Sequence, residues 1–192
     1  MTLRLPKTEL PADLKESMIE RFGAVPENVE VAWHNPTVTQ ASQEFGGSVA
    51  GWDTVDASLK TFAHMAVAAQ VGCSWCLDVG YFHAQNTNLD LAKASQVPLW
   101  RDSAVFTPLE RDVLEFAEAM TSTPLTVTDE MYASLLERLG AEAMVELSTF
   151  IAYINLATRA NVANGITSQG FSDACEIPLA QRSEQPGVPS HA

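Results

Sequence analysis

Residues 71–83 read V-G-C-S-W-C-L-D-V-G-Y-F-H. Two of the chain's three cysteines stand there as Cys73-Ser74-Trp75-Cys76, and His83 follows Cys76 by seven residues. A C-x-x-C pair has two chemical uses. It closes into a disulfide and reopens, or it supplies half of a metal site. Three residues apart on a helix, the two side chains are neighbours on one face. That spacing permits a disulfide when one cysteine stands at the helix entrance, where backbone N–H groups favour the thiolate. Gly72 fits a break between two helices that would put the pair at such an entrance. The competing reading is two small apolar residues in a core.

The other candidate groups are fewer. A structural zinc site wants four Cys or His ligands, usually as two paired clusters. His64, His83 and Cys175 would have to complete it with no paired spacing between them, so no metal and no cofactor is expected. His83 lies two helical turns past Cys76, about 10.5 Å of rise, too far for direct proton transfer without a bend or a bridging water. It reads somewhat better as a surface or interface histidine. His64, nine residues before Cys73, either lines a pocket or is a hydrogen-bonded core residue. Asp78 points to a different face, where helix capping or solvent exposure is expected. Cys175 stands alone and reads as inert. Arg159 and Asn161, in N-L-A-T-R-A-N-V-A-N-G, sit on an apolar helix and need partners, in a buried network or at a subunit contact. Glu110, Arg111, Asp112, Glu115 and Glu118 read as a solvated face. There is no glycine-rich phosphate loop, no G-x-S-x-G and no H-E-x-x-H.

The elements that must position these groups read as helices. Residues 11–22 hold Leu14, Met18, Ile19 and Phe22 on one stripe before Gly23. Residues 26–33 form a short helix, and Pro36 opens another that runs to Gly46-Gly47 or slightly beyond. Residues 53–72 are apolar almost all round and should be central. Residues 74–84 continue as a closely joined helix, and Asn88 can cap a short one through Ser95. Residues 97–106 are a connector. Thr107-Pro108-Leu109-Glu110 is a capping box, with Leu109, Val113, Phe116, Ala117 and Met120 at helical spacing after it. Pro124 breaks the chain. Residues 128–139 form a helix stopped by Gly140, and residues 141–164 the longest apolar one, ended by Gly165. No segment alternates like a strand, so the fold class is all-α. Residues 1–25 read as a helical extension, 26–175 as a single domain and 176–192, rich in proline and serine, as a loose tail.

Bulk properties narrow the function further. The 192 residues are 46% hydrophobic and 18% charged, as in a folded protein with a real core. A net charge of −13 opposes nucleic-acid and anionic-membrane partners. No apolar run approaches the roughly 18 residues of a membrane span. The N-terminus lacks an apolar signal region, so a cytoplasmic location is expected. In a reducing compartment, C-x-x-C leans toward catalysis or metal binding rather than a structural staple.

An apolar helix ending in Gly-Cys-x-x-Cys and a later helix reading N-x-x-x-R-x-N-x-x-x-G resemble the carboxymuconolactone decarboxylase superfamily, which includes the AhpD-like alkyl hydroperoxidases. Ala32-Trp33-His34-Asn35-Pro36 and the Thr107-Pro108-x-Glu110-Arg111 start are similar as well, so the likeness extends over residues 26–171. The resemblance implies an AhpD-like helical bundle that assembles as a trimer or a multiple of three, with sites near subunit contacts. It implies that Cys76 attacks a hydroperoxide and Cys73 resolves the sulfenic acid to a disulfide, which a thiol electron-donor protein reduces. The family's relay glutamate and histidine positions fall on Thr61 and Gly80, neither able to relay a proton. His83 or His64 is then expected to substitute. The expected function is a hydroperoxide-reducing thiol oxidoreductase. The alternatives are a decarboxylase-like lyase, which needs an electron sink rather than a dithiol, and a non-catalytic oligomeric binding protein.

Overall fold

Helix α4 (Ala57–Val71) is the axis of the fold in the computed structural model, which describes residues 2–87, 89–173, 175 and 177–180. It buries Leu59, Thr61, Phe62, Ala63, Met65, Ala66, Val67 and Ala68, a set that wraps more than one face of the helix. A helix apolar nearly all round has to be covered on several sides. Here α5 (Ser74–Asn86), α7 (Pro108–Thr121) and α8 (Asp129–Ala163) cover it. Its start is held by the Asp56 carboxylate, which accepts from Ser58 N at 2.8 Å. Glu146 of α8 pins the preceding loop, accepting from Thr54 N at 2.9 Å and Val55 N at 3.2 Å while pairing with Lys60 at 2.9 Å.

The remaining elements are α1 (Ala12–Phe22), α2 (Glu27–Ala32), α3 (Pro36–Ala50), α6 (Leu91–Ala94) and a 3-10 segment at Val97–Asp102. No strand occurs among the described residues, in agreement with the all-α expectation. Helix α3 runs through Gly46-Gly47 to Ala50, and Gly46 leaves room for the Tyr153 hydroxyl, which a Cβ there would meet. The connector at residues 97–106 contains the 3-10 turn. Asn88 lies outside the described residues, and Asp90 caps α6 through Lys93 N. In α7 both halves of the capping box form, and Glu110 also binds Lys93 at 2.8 Å.

The separation expected at Gly140 holds: that residue adopts φ 81°, ψ 167°, which breaks the helical backbone, and a second helical stretch follows it directly. Two expectations are corrected. The charged face of α7 is not simply solvated. Glu118 is buried and bound by Arg101 at 2.8 Å, and Arg111 donates to the carbonyls of Trp100 and Ser103. The 3-10 segment folds over that face, which residue types alone do not reveal. The tail begins docked, since Tyr81 Oη donates to Ile177 O at 2.6 Å and Ala180 N to Ser95 O at 2.9 Å. Glu176 and residues 181–192 lie outside the described residues. No described helix is long and apolar enough to cross a membrane.

Candidate active site

Gly72 ends α4 in the left-handed region at φ 78°, donating to Ala68 O at 3.0 Å. One residue later α5 begins, so Cys73 alone forms the corner between two helices. Cys73 N also donates to Ala68 O, at 2.9 Å, and Cys73 Sγ accepts from Cys76 N at 3.2 Å as the N-cap of α5. Cys76 thus falls in the first turn, where unpaired N–H groups make the environment electropositive. The two residues are joined as a disulfide, with their Cα atoms 5.3 Å apart.

The pair is covered. Cys73 is 1% exposed and Cys76 2%, packed with Ala68, Trp75, Leu77 and Val162. On the α8 side, Asn161 Nδ2 donates to Cys76 Sγ at 3.4 Å. A disulfide sulfur can only accept, so the amide nitrogen rather than its oxygen must face it. The sequence had placed Asn161 in a network or at a subunit contact. Its polar type on an apolar helix was the available signal, but periodicity could not say which helix it faces.

His64 meets α5 at Gly80, one turn past Cys76. A Cβ at position 80 would lie 3.5 Å from both Nδ1 and Cε1 of the imidazole. No hydrogen-bond partner to His64 occurs among the described residues. Burial pushes its pKa down to about 4, with His83 adding to the effect, so the ring is neutral at neutral pH. His83, three residues beyond Gly80, is exposed in the last turn of α5. Partial desolvation lowers its pKa, and nearby Arg21 lowers it further. Cys73 and Cys76 are therefore joined, His64 stands one turn along α5, and His83 lies a further turn out.

Asp78 departs from its expected capping or solvent role. It is buried, and its carboxylate accepts from the hydroxyls of Ser168 and Ser172 and from the backbone N–H groups of Gln169, Gly170, Phe171 and Ser172. Burial raises its pKa, but the hydrogen bonds outweigh that and hold it below the usual carboxylate value. This anchors residues 168–172 over the start of α5, where Ser168 N donates to Ser74 Oγ at 3.1 Å. From that loop Gln169 Oε1 accepts from the Trp75 indole at 3.1 Å and from Glu27 N at 2.8 Å, and Gln169 Nε2 donates to Val25 O at 3.2 Å. The loop, the Trp75 ring and the segment before α2 form one connected cover.

Cys175 Sγ lies 2.9 Å from Gln85 Oε1, and burial and the Asp78 charge raise its pKa, which keeps it a thiol. No cluster of metal-ligating side chains occurs among the described residues. A depression of about 330 Å³, lined by Gln70, Val71, Thr121, Ser122, Thr123 and Arg159, reaches to within two residues of Cys73.

Compared with known families, residues 36–119 match the carboxymuconolactone decarboxylase family. The chain belongs to the carboxymuconolactone decarboxylase superfamily. This superfamily member is 32% identical to the uncharacterised protein YnjA of Escherichia coli K12 over 124 residues, 65% of this chain and 66% of YnjA. It is 25% identical to the uncharacterised YdfG of Bacillus subtilis over 113 residues, 58% of this chain and 77% of YdfG. Among solved structures, its fold is similar to that of the debrominase Bmp8 bound to 2,3,4-tribromopyrrole, with TM-score 0.79 and 19% identity over 90% of this chain and 97% of Bmp8. It is equally similar to a peroxidase-related AhpD core protein from Ralstonia eutropha, with TM-score 0.78 and 20% identity over 92% and 97% of the two chains. The family match supports a peroxidase-related or decarboxylase-like function. Of the two positions where the resemblance expects relay groups, Thr61 spends its buried hydroxyl on Ala57 O at 2.9 Å, and Gly80 is covered by His64 and Met65.

Proposed function

We propose that the protein is a thiol oxidoreductase that reduces a hydroperoxide at Cys76. The Cys76 thiolate attacks the terminal peroxide oxygen, the O–O bond breaks, and the alcohol leaves after protonation. Cys76 becomes a sulfenic acid. The Cys73 thiol displaces water from it to form the disulfide. A donor protein's dithiol then reduces that disulfide by exchange and is itself oxidised. The observation that carries this reading is the placement of both sulfurs at the entrance of α5, within bonding distance of each other. His64, neutral and against Gly80, is the better-placed proton acceptor of the two histidines, and His83 is the outer one. The sulfurs are almost fully buried, so substrate and donor reach them only when part of the packing around them opens. The working protein is a homo-oligomer, a trimer or a multiple of three, and light scattering on the purified chain checks that.

The test is a thiol count. Reduced protein given hydroperoxide should lose two free thiols per chain and regain them with a dithiol. The Cys76→Ser variant should lose none by this route. Retention of all thiols under excess peroxide overturns the reading. The same assay run with a brominated pyrrole, and carbon dioxide release from a carboxylated lactone, ask whether another family chemistry fits better.

A further inference from the structure

Each sulfur of the pair accepts a different hydrogen bond. Cys73 Sγ accepts a backbone N–H, that of Cys76, at 3.2 Å. Cys76 Sγ accepts a side-chain donor, Asn161 Nδ2, at 3.4 Å. Both sulfurs sit at the same helix N-terminus, so its field does not strongly separate them. The backbone donor by itself favours Cys73 as the thiolate, because an N-cap sulfur is the natural acceptor there. A donor aimed at Cys76 acts in the opposite sense, and a hydrogen bond to a charged acceptor is stronger than one to a neutral acceptor.

Asn161 is well held for this. It lies in the last turn of α8, where its carbonyl accepts from Asn164 N at 3.1 Å and from Ile166 N at 3.0 Å. Val162, the next residue, packs against the cysteine pair. The titratable groups around Cys76 are Cys73 at the corner, His64 on α4, and Asp78 and His83 on its own helix. Arg159 on α8 is turned to Thr121 O at 2.7 Å. Asp78 is directed into residues 168–172, and His64 is neutral. No cation is therefore seen to take over the part of the amide among these groups.

We infer that Asn161 is a catalytic residue that selects Cys76, rather than the N-cap Cys73, as the reactive thiolate. The inference deepens the thiol-oxidoreductase reading and rests on it for its functional meaning. Its test does not depend on turnover. The thiol pKa is measured from thiolate ultraviolet absorbance in a Cys175→Ser background, with Cys76 alone (Cys73→Ser) or Cys73 alone (Cys76→Ser). In the first, Asn161→Ala should raise the Cys76 pKa by about one pH unit, and Asn161→Asp, similar in volume but lacking the donor and adding charge, should raise it further. In the second, Asn161→Ala should leave the Cys73 pKa unchanged. An unmoved Cys76, or an equal rise in both thiols, overturns the inference. If Asn161→Ala fails to fold, Asn161→Asp gives the same comparison at native volume. An Asn161-dependent Cys76 pKa without peroxide turnover would sink the proposed activity and leave the selection intact.

Discussion

The His64 imidazole occupies the space over Gly80: a side-chain carbon at position 80 would lie 3.5 Å from His64 Nδ1 and 3.0 Å from Met65 Cγ. Position 80 is where the family resemblance puts the relay histidine. In this chain a histidine reaches the same neighbourhood from the opposite helix.

One consequence concerns packing. Gly80→His forces a second ring into filled space and should cost about 3 kcal/mol or more. Combining it with His64→Ala empties the opposing site and should recover most of the loss. Urea denaturation of the four proteins measures the coupling. Additive effects would show that the two positions do not share that space.

The low His64 pKa makes stability depend on pH. The unfolded imidazole binds a proton below about 6.5, whereas the folded one resists it until about 4. Between those values the unfolded state holds more protons, so stability is complete above 6.5 and falls with acidification by at most about 3 kcal/mol. His64→Gln should flatten that stretch of the stability–pH curve. A curve unchanged by the substitution would remove His64 from the account.

Asp78 acts with the same sign in a lower pH window. Its folded pKa is depressed below 3.8, so its contribution is present above that value and disappears as pH falls through the folded one. Asp78→Asn keeps the shape but places an NH₂ among donors. It should cost roughly 2 to 4 kcal/mol at neutral pH. Hydrogen exchange should show residues 168–172 losing protection first, and protection equal to the parent would contradict the anchoring role.

The Gln169–Trp75 contact should govern access to the sulfurs. With Cys73 and Cys76 only 1% and 2% exposed, a phosphine reductant must wait for the cover to open. Gln169→Ala removes the tie to Trp75, Glu27 and Val25 and should speed reduction several-fold. The rate of thiol appearance at fixed phosphine checks this. An unaltered rate would place the opening elsewhere.

Much of the fold was legible because its signals are local. Thr107 and Glu110 close their capping box within one turn, and Gly72 stops α4 by its own left-handed backbone. The corner at Cys73 followed from the same reasoning. Less was legible where a residue's meaning depends on what arrives from far along the chain. Asp78 looked like a surface carboxylate until residues 168–172 supplied its donors. The charged face of α7 looked solvated until the 3-10 segment at Val97–Asp102 folded over it.

By itself, then, the chain of residue types determined an all-helical protein with two thiols one turn apart at a helix entrance, because helical periodicity, caps and cysteine spacing act over a few residues. Only the tertiary structure decided that Asn161 faces Cys76 across 85 positions, that His64 takes the space over Gly80, and that a loop tied to Asp78 binds Ser74 and Trp75 beside the pair. Those relations arise when α4, α5 and α8 pack, and the register of that packing is set by the whole core rather than by any one segment.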